Sequence, residues 1–403
     1  MEWVIVGGGA AGLHAALCLR QSWPGKPVTL IEAEQEVGYY RTLLPQFMAG
    51  QIEEKRLFFW QSGGDPLLRV WTGTRVQSLN RKNQSLCLES REKIRYERLI
   101  LAPGGRPLMP AICTRNPCTG VFAIRDLTTA REVRGWIHGH REIFILGGGL
   151  VGVKTAVHLR ESGLKVSLVE KEEHLLPKVL APEPANMIEE HLRENGVCLF
   201  LGQVLEDLWV ERGGLQLVQV GGQWLPCNTL LVAIGSIPNT GFLGESGLLE
   251  NGELAVSSTL QTRDEKIYAA GDAVVVLTPK GEQYHPWTWP QAVSQGKLAA
   301  ANLHSPSPLF LNPLTRPNSM NLHGLSIVIL GAPVPGAERI SFARPAEGIY
   351  RELFLLEGRI VGGALVGDIS GAGPLHAMMI SGKEMRVREG AEKLLTPRME
   401  VGA

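Results

Sequence analysis

The chain has 403 residues, 44% of them hydrophobic and 20% charged, with 47 glycines. That is too long for one ordinary domain and has the composition of a globular protein of two or three. Lysine plus arginine equals aspartate plus glutamate at 40 each, so no net basic field recruits nucleic acid or acidic lipid. No apolar stretch approaches the roughly 20 residues a membrane helix needs, which excludes a spanning helix and points to a soluble, cytoplasmic protein.

The first strand is expected at Trp3–Val6, leaving no room for a signal peptide. A glycine run, Gly7-x-Gly9-x-x-Gly12, follows it and opens an amphipathic helical pattern. A second strand, Val28-Thr-Leu-Ile, then ends in Glu32. The first glycine permits a tight turn, the second lets backbone approach a pyrophosphate, and the third lets helix and strand pack closely. The pyrophosphate then sits among unpaired N–H groups at the positive end of the helix. Glu32, twenty residues past Gly12, is placed to accept both ribose hydroxyls.

The chain writes this unit twice. Residues 7–20, GGGAAGLHAALCLR, align without gaps on residues 147–160, GGGLVGVKTAVHLR, with seven of fourteen identities. The second copy follows the strand Ile143–Leu146 and leads to Val166-Ser-Leu-Val-Glu170. Gly147, Gly149, Gly152 and Glu170 therefore repeat the logic. A carboxylate at Glu170 repels a 2′-phosphate, which favours NAD(H) over NADP(H); the neighbouring Lys171 tempers that preference.

A second repeat supports the first. Leu99-Ile-Leu-Ala102-Pro-Gly104 and Leu230-Leu-Val-Ala-Ile-Gly235 are apolar strands ending in small-residue turns, each with a proline three residues on, Pro107 and Pro238. Each marks the last strand of a nucleotide-binding unit, so boundaries are expected near 110 and 235. From about 305 the chain opens with Ser305-Pro-Ser-Pro308 and a proline-dotted linker to Pro317. It then reads as short strands (Leu325–Leu330, Gly348–Leu356, Arg359–Val366) and a closing helix. The expected fold is α/β, with two Rossmann-like dinucleotide-binding domains and a small C-terminal α+β domain. The ranges are 1–110 with 236–304, 111–235, and 305–403.

These motifs resemble the pyridine nucleotide–disulfide oxidoreductase superfamily, flavoproteins with two dinucleotide-binding domains of the glutathione reductase kind. The likeness runs from Met1 to about Gly390, and within the superfamily it is to rubredoxin reductases, oxygenase-type ferredoxin reductases and the flavin region of nitrite reductases. It implies FAD in the first unit and NAD(H) in the second. Ile267-Tyr-Ala-Ala-Gly271-Asp272 looks like the strand that presents an aspartate to the ribityl chain of FAD. Tyr39-Tyr-Arg41-Thr-Leu-Leu-Pro-Gln-Phe-Met-Ala-Gly50 is similar to the segment whose arginine approaches FAD. Val76 falls where the family's backbone touches adenine, and Arg106 where an arginine follows the Ala102-x-Gly104 turn. Trp289-Pro-Gln-Ala-Val-Ser-Gln295-Gly resembles a stretch that lays its tryptophan against the flavin edge. Gly348-x-Tyr350 through Val366-Gly-Asp368 looks like the small C-terminal domain of the rubredoxin and nitrite reductase type.

Two departures stand out. Lys154 occupies a position where relatives often carry glutamate near the nicotinamide; a carboxylate partner, a place near the flavin and a solvated helix lysine stay open. Gln46 stands where some ferredoxin reductases place a lysine. Disulfide reductases keep redox cysteines after the first acid, yet residues 33–60 contain none. The six cysteines, at 18, 87, 113, 118, 198 and 227, form no Cys-x-x-Cys pair, and no metal site is expected. Cys113 and Cys118 are separated by the helix breaker Pro117, so neither is expected at a helix N-terminus that would lower a thiol pKa. Cys18 reads as a core residue.

No side chain need act as acid or base in hydride transfer, because the cofactors carry that chemistry. The resemblance implies an FAD-dependent NAD(H):acceptor oxidoreductase that exchanges electrons with an iron–sulfur partner. The chain has no cysteine set for a cluster of its own. The partner is then a rubredoxin, a ferredoxin or a subunit of a larger complex. The alternatives are an NADH oxidase that reduces oxygen and a non-catalytic NADH-responsive module.

Overall fold

A strand covered by helices on both faces is apolar along its whole length, and the runs beside both glycine motifs form parallel sheets of that kind. The computed structural model describes residues 2–278, 283–285, 288–311, 317–331, 336–382 and 384. The chain divides into two units. The first is Met1–Thr42, Glu54–Arg106 and Ser236–Thr315; the second is Leu43–Glu53, Pro107–Gly235 and Arg316–Ala403. The expected linker to Pro317 lies partly outside the described residues, at 312–316, as does Gly390.

In the first unit the parallel strands stand in the order Leu68–Trp71, Val28–Ile31, Glu2–Val6, Lys93–Leu101, Ile267–Ala269. An antiparallel hairpin, Val76–Asn80 and Ser85–Leu88, extends from the start of the long strand Lys93–Leu101. In the second unit the order is Val197–Leu201, Lys165–Glu170, Glu142–Leu146, Thr229–Val232, Val121–Ala123, again all parallel. The two sheets thus share one plan, but their last strands have opposite origins. Ile267–Ala269 comes from beyond the second sheet in sequence, whereas Val121–Ala123 precedes the rest of its own sheet.

A three-stranded antiparallel sheet, Leu205–Glu211, Gly214–Val220 and Gln223–Pro226, interrupts the second parallel sheet before its strand Thr229–Val232. After it in sequence comes a five-stranded antiparallel sheet in the order Asn318–Leu322, Leu325–Leu330, Arg359–Val366, Ile349–Leu356, Glu338–Arg344, followed by the helix Ala372–Ser381. The sequence pattern gives only three of these strands. The other two, NSMNL and ERISFAR, carry too few apolar residues to stand out.

This C-terminal sheet buries charge. Arg351, only 2% exposed, donates to the Asp368 carboxylate at 2.6 Å and to the Ser370 hydroxyl at 3.0 Å. Glu352 is fully buried and accepts from Arg339 Nε at 2.8 Å. The same guanidinium donates to Tyr350 Oη at 2.6 Å and to Glu183 Oε2 at 2.7 Å. Buried charges persist in this way only when paired and hydrogen-bonded. Among the described residues, no helix is long and apolar enough to cross a membrane.

In the first unit the helices Ala10–Ser22 and Trp289–Asn302 pack backbone to backbone. A Cβ added at Gly296 would lie 2.0 Å from the Ala11 carbonyl oxygen. Gly296→Ala should therefore destabilise the protein by about 1–3 kcal/mol through overpacking. Gly135, on an exposed stretch of the helix Leu127–Trp136, has nothing within 4 Å of an added Cβ. Gly135→Ala should stabilise by about 0.5–1 kcal/mol from helix propensity. Thermal unfolding of both variants beside the parent checks the pair, and equal shifts would contradict the packing described.

Candidate functional site

Both glycine turns are built on the same steric constraint. Gly7 has φ +98° and Gly147 has φ +111°, in the left-handed half of backbone space that favours glycine. A Cβ at Gly7 would fall 2.0 Å from the Ala102 carbonyl oxygen, and one at Gly147 2.5 Å from that of Ala233. Gly12 and Gly152 each leave only 1.8 Å between an added Cβ and the carbonyl oxygen of the first glycine in their own motif. The middle glycines, Gly9 and Gly149, meet nothing within 4 Å. The first and last glycines of each motif thus serve packing, and the middle one leaves open space in front of the helix.

The helices that begin there, Ala10–Ser22 and Leu150–Glu161, have glycine N-caps with no side-chain cap bond and no acidic residue in the first turn. Their first N–H groups lack intrahelical acceptors, and the dipole adds positive potential at the same place. The donor set fits a pyrophosphate.

The acids repeat each other atom for atom. Glu32 Oε2 accepts from the Gly8 N–H, and Oε1 from the Glu34 N–H at 2.9 Å. Glu170 Oε2 accepts from the Gly148 N–H at 2.6 Å, and Oε1 from the Glu172 N–H at 2.9 Å. Both acids are buried, so each carboxylate is anchored to its glycine turn by backbone donors. Burial pushes the Glu32 pKa up, opposed by the Glu34 and Gly8 N–H groups. The Lys171 ammonium is exposed and lies 3.2 Å from Glu172 Oε1.

Within the first unit the structure brings most of the expected residues to one helix end. Gly7 lies against Ala102, Gly8 bonds to Glu32, and a Cβ at Gly271 would be 3.1 Å from Ala11 Cβ. The Thr74 N–H donates to Glu32 O at 2.8 Å, and buried Val76 opens the next strand. Gly104 is left-handed at φ +62°, and its oxygen accepts from the Asn239 N–H at 2.9 Å. Asp272 is half-buried just beyond Gly271, itself at φ +84°. Arg41 pairs with Glu34 and lies over the Tyr39 ring at 5.1 Å. Arg106 is exposed on the strand Gly105–Pro107 and is not drawn into this group.

Trp289 opens its helix within an aromatic group that the sequence reading missed. Its ring lies 5.7 Å from Tyr40 and 6.0 Å from Phe59, and those two are 4.6 Å apart. Phe59 also stacks on His14 at 5.4 Å. The four come from separate segments, and only the paired tyrosines after Glu32 offered a local signal.

In the second unit, Gly235 is left-handed at φ +120° and its oxygen accepts from the Leu108 N–H at 3.0 Å. Lys154 is half-buried and burial pushes its pKa down, so it is not a fully solvated helix lysine. Among the described residues, no carboxylate pairs with it. Gln46 lies in the short helix Leu44–Met48 of this unit.

The thiols need one correction. Cys113 lies in the first turn of a short helix, Ala111–Arg115, which ends before Pro117. The sulfur is buried, however, and burial outweighs any help from that turn. The Cys113 thiol is pushed up to about 11, and burial raises Cys118 as well. Cys227, in the same apolar cluster, is pushed up to about 12 by burial. All six cysteines are free, and these three stay protonated at neutral pH. Cys18 is partly buried against the first unit's core.

Residues 1–296 match the family model described as pyridine nucleotide-disulphide oxidoreductase, and the chain belongs to that family. It is 26% identical to an NADH oxidase of Methanocaldococcus jannaschii, over 94% of this chain and 91% of the relative. It is 28% identical to the ferredoxin reductase subunit of a 5,5'-dehydrodivanillate O-demethylase from a Sphingobium species, over 89% of this chain and 88% of the relative. Among solved structures, the putidaredoxin reductase–putidaredoxin covalent complex is similar in fold, with a TM-score of 0.90 at 21% identity, covering 98% of this chain and 95% of that one.

Two outcomes follow from the acids. Because the Glu32 pKa is raised by burial, its carboxylate should begin to protonate at a higher pH than a free glutamate. A protonated acid accepts ribose hydroxyls less well, so FAD retention should fall as pH drops through that raised value. In the cofactor-free chain the sign is reversed. There the raised pKa contributes stability below the ordinary glutamate range, and that contribution is lost as pH rises through the folded-state value. Equilibrium dialysis of FAD across acid pH should show the dependence in the parent and a flat profile in Glu32→Gln. For Glu170, flavin reduction by NADH should exceed that by NADPH at least about tenfold, and Glu170→Gln should narrow the gap. Equal rates in the parent would count against that role.

Proposed function

We propose that this chain is an FAD-dependent NAD(H) oxidoreductase that passes electrons to or from an iron–sulfur partner. The single observation that carries the reading is the duplicated cradle: two uncapped helix ends, each with an open middle glycine and a buried acid bonded to its own turn. Residues 1–110 with 236–304 form the FAD domain, 111–235 the NAD domain, and 305–403 a small C-terminal domain. In the first, the turn shaped by Gly7, Gly9 and Gly12 receives the pyrophosphate at the helix end, and Glu32 holds the adenosine ribose. Val76 meets the adenine, the Ala102-x-Gly104 turn with Arg106 after it borders the cofactor, Arg41 approaches it, and Gly271 with Asp272 meets the ribityl chain. Gly147, Gly149, Gly152, Glu170 and Gly235 hold NAD(H). The free thiols fit a cytoplasmic, reducing location.

FAD, when bound, supplies a centre that takes hydride from NADH and releases electrons one at a time. The protein's own part is to bind, orient and screen. The helix ends fix both pyrophosphates, the acids fix the riboses, and Trp289 with Tyr40 and Phe59 shields the flavin edge while leaving a path outward. No residue 33–60 is a cysteine, and the buried Cys113 and half-buried Cys118, both with raised thiol pKa, are poor nucleophiles at neutral pH. Electrons therefore leave without a disulfide relay. The ferredoxin reductase subunit among the relatives supports an iron–sulfur acceptor. The relative described as an NADH oxidase supports direct reduction of oxygen as the alternative.

Anaerobic stopped-flow spectroscopy separates the two. Rapid bleaching of the flavin by NADH should be followed by fast reoxidation with added ferredoxin or rubredoxin and slow reoxidation by air. Fast reoxidation by air alone would favour the oxidase. A Cys113→Ser, Cys118→Ser double variant should match the parent in both steps. A variant that is reduced normally but cannot pass electrons onward would restore a thiol relay. Trp289→Ala should shift the flavin absorbance or slow the outward step, with only a modest loss of thermal stability.

A further inference from the structure

Gln295 is fully buried in the helix Trp289–Asn302. Its Oε1 accepts from the Gly271 N–H at 2.7 Å. Since a backbone N–H can only donate, that bond also settles which end of the amide is oxygen. The other end, Nε2, is out of contact with solvent and meets no acceptor among the described residues. A buried position kept for packing alone would be apolar. Here a buried amide tolerates an unmatched donor while its oxygen makes one bond.

That bond falls at a crowded junction. Gly271 is left-handed at φ +84° and leads directly into Asp272. The residue before it is pinned from the other side, with the Ala270 N–H donating to Leu101 O at 2.9 Å. Ala11, in the first turn of the helix that follows the glycine motif, touches both neighbours of this bond. An added Cβ at Gly271 would be 3.1 Å from Ala11 Cβ, and one at Gly296 2.0 Å from Ala11 O. Gln295 thus ties the Gly271–Asp272 turn to the helix that Trp289 opens, at the N-terminus of the helix whose amides face the pyrophosphate.

We propose that Gln295 is a positioning residue for FAD. Its carboxamide oxygen holds the Gly271 peptide so that the Gly-Asp turn, the glycine cradle and the helix carrying Trp289 keep one geometry. The inference rests on the assignment of FAD to the first unit and adds a residue that does not itself touch the cofactor. Without the bond, the Gly271 N–H loses its acceptor and the turn gains freedom, while the packing of the helix pair around Gly296 stays in place.

The test uses Gln295→Met, which keeps the length and removes the acceptor, and Gln295→Glu, which keeps an oxygen for the Gly271 N–H. Hydrogen–deuterium exchange of the cofactor-free protein should rise at residues 267–274 in the Met variant and stay close to the parent in the Glu variant. In the Met variant FAD should dissociate about tenfold faster, the scale of one lost buried hydrogen bond, with an altered visible circular dichroism of the bound flavin. Exchange at 267–274 equal to the parent in the Met variant would overturn the proposal. So would FAD dissociation and dichroism in the Met variant equal to those of an FAD-binding parent, or a Glu variant exchanging as fast as the Met variant. A parent that binds no FAD would instead bring down the cofactor assignment itself, and this proposal with it.

Discussion

The distance between a helix and the turn that launches it governs both α/β units. At Gly12 and Gly152 only 1.8 Å separates an added Cβ from the oxygen of the preceding turn, so any side chain would push the helix away from its strand. With the helix held that close, its first amides and the strand's closing acid come to lie on the same small turn. Glu32 and Glu170 can then each bond to it with one oxygen while the other caps the backbone beyond. Acid placement and anion-binding potential are both downstream of that contact.

What differs between the units is their surroundings rather than their cradles. The first adds a glycine–aspartate turn and an aromatic group drawn from Tyr40, Phe59 and Trp289. The second adds a half-buried lysine in its first helical turns and a patch of apolar-packed thiols. Desolvation acts on each ionisable group in the direction of its neutral form, raising Glu32 and the thiols and lowering Lys154. The paired cysteines that are suggestive in a disulfide-reductase family are thereby held as thiols.

The cradles were legible in the sequence because their constraint is local: glycine spacing, an apolar run on each side and an acid some twenty residues on are read within one short window. The inner strands of the parallel sheets were legible for the same reason, being apolar on both faces, whereas Leu68–Trp71, Val197–Leu201 and Val121–Ala123, at or near the edges and less fully buried, were not. The C-terminal sheet was harder. Its two outer strands, Asn318–Leu322 and Glu338–Arg344, are half polar, and its centre hides Arg351 and Glu352, whose charges are matched only in three dimensions by Asp368 and Arg339. The aromatic group and Gln295 were invisible as a site because each contact joins distant segments. Gln295 and Gly271 share no periodicity, and a glutamine in a helix looks like any solvated one.

One feature of the topology bears on how the molecule is made. The second parallel sheet is drawn from the continuous run Val121–Val232, whereas the first waits for Ile267–Ala269 to fill its last place. On a ribosome, the earlier-starting sheet is therefore the later to be completed. Its edge strand Lys93–Leu101 stands without that neighbour while the whole intervening sheet is synthesised and can fold, and unpaired edges are the sites of misassembly. The glycine–aspartate turn arrives with the same late strand, so the first cradle is finished only in the second half of translation even though its signature is among the first residues to emerge.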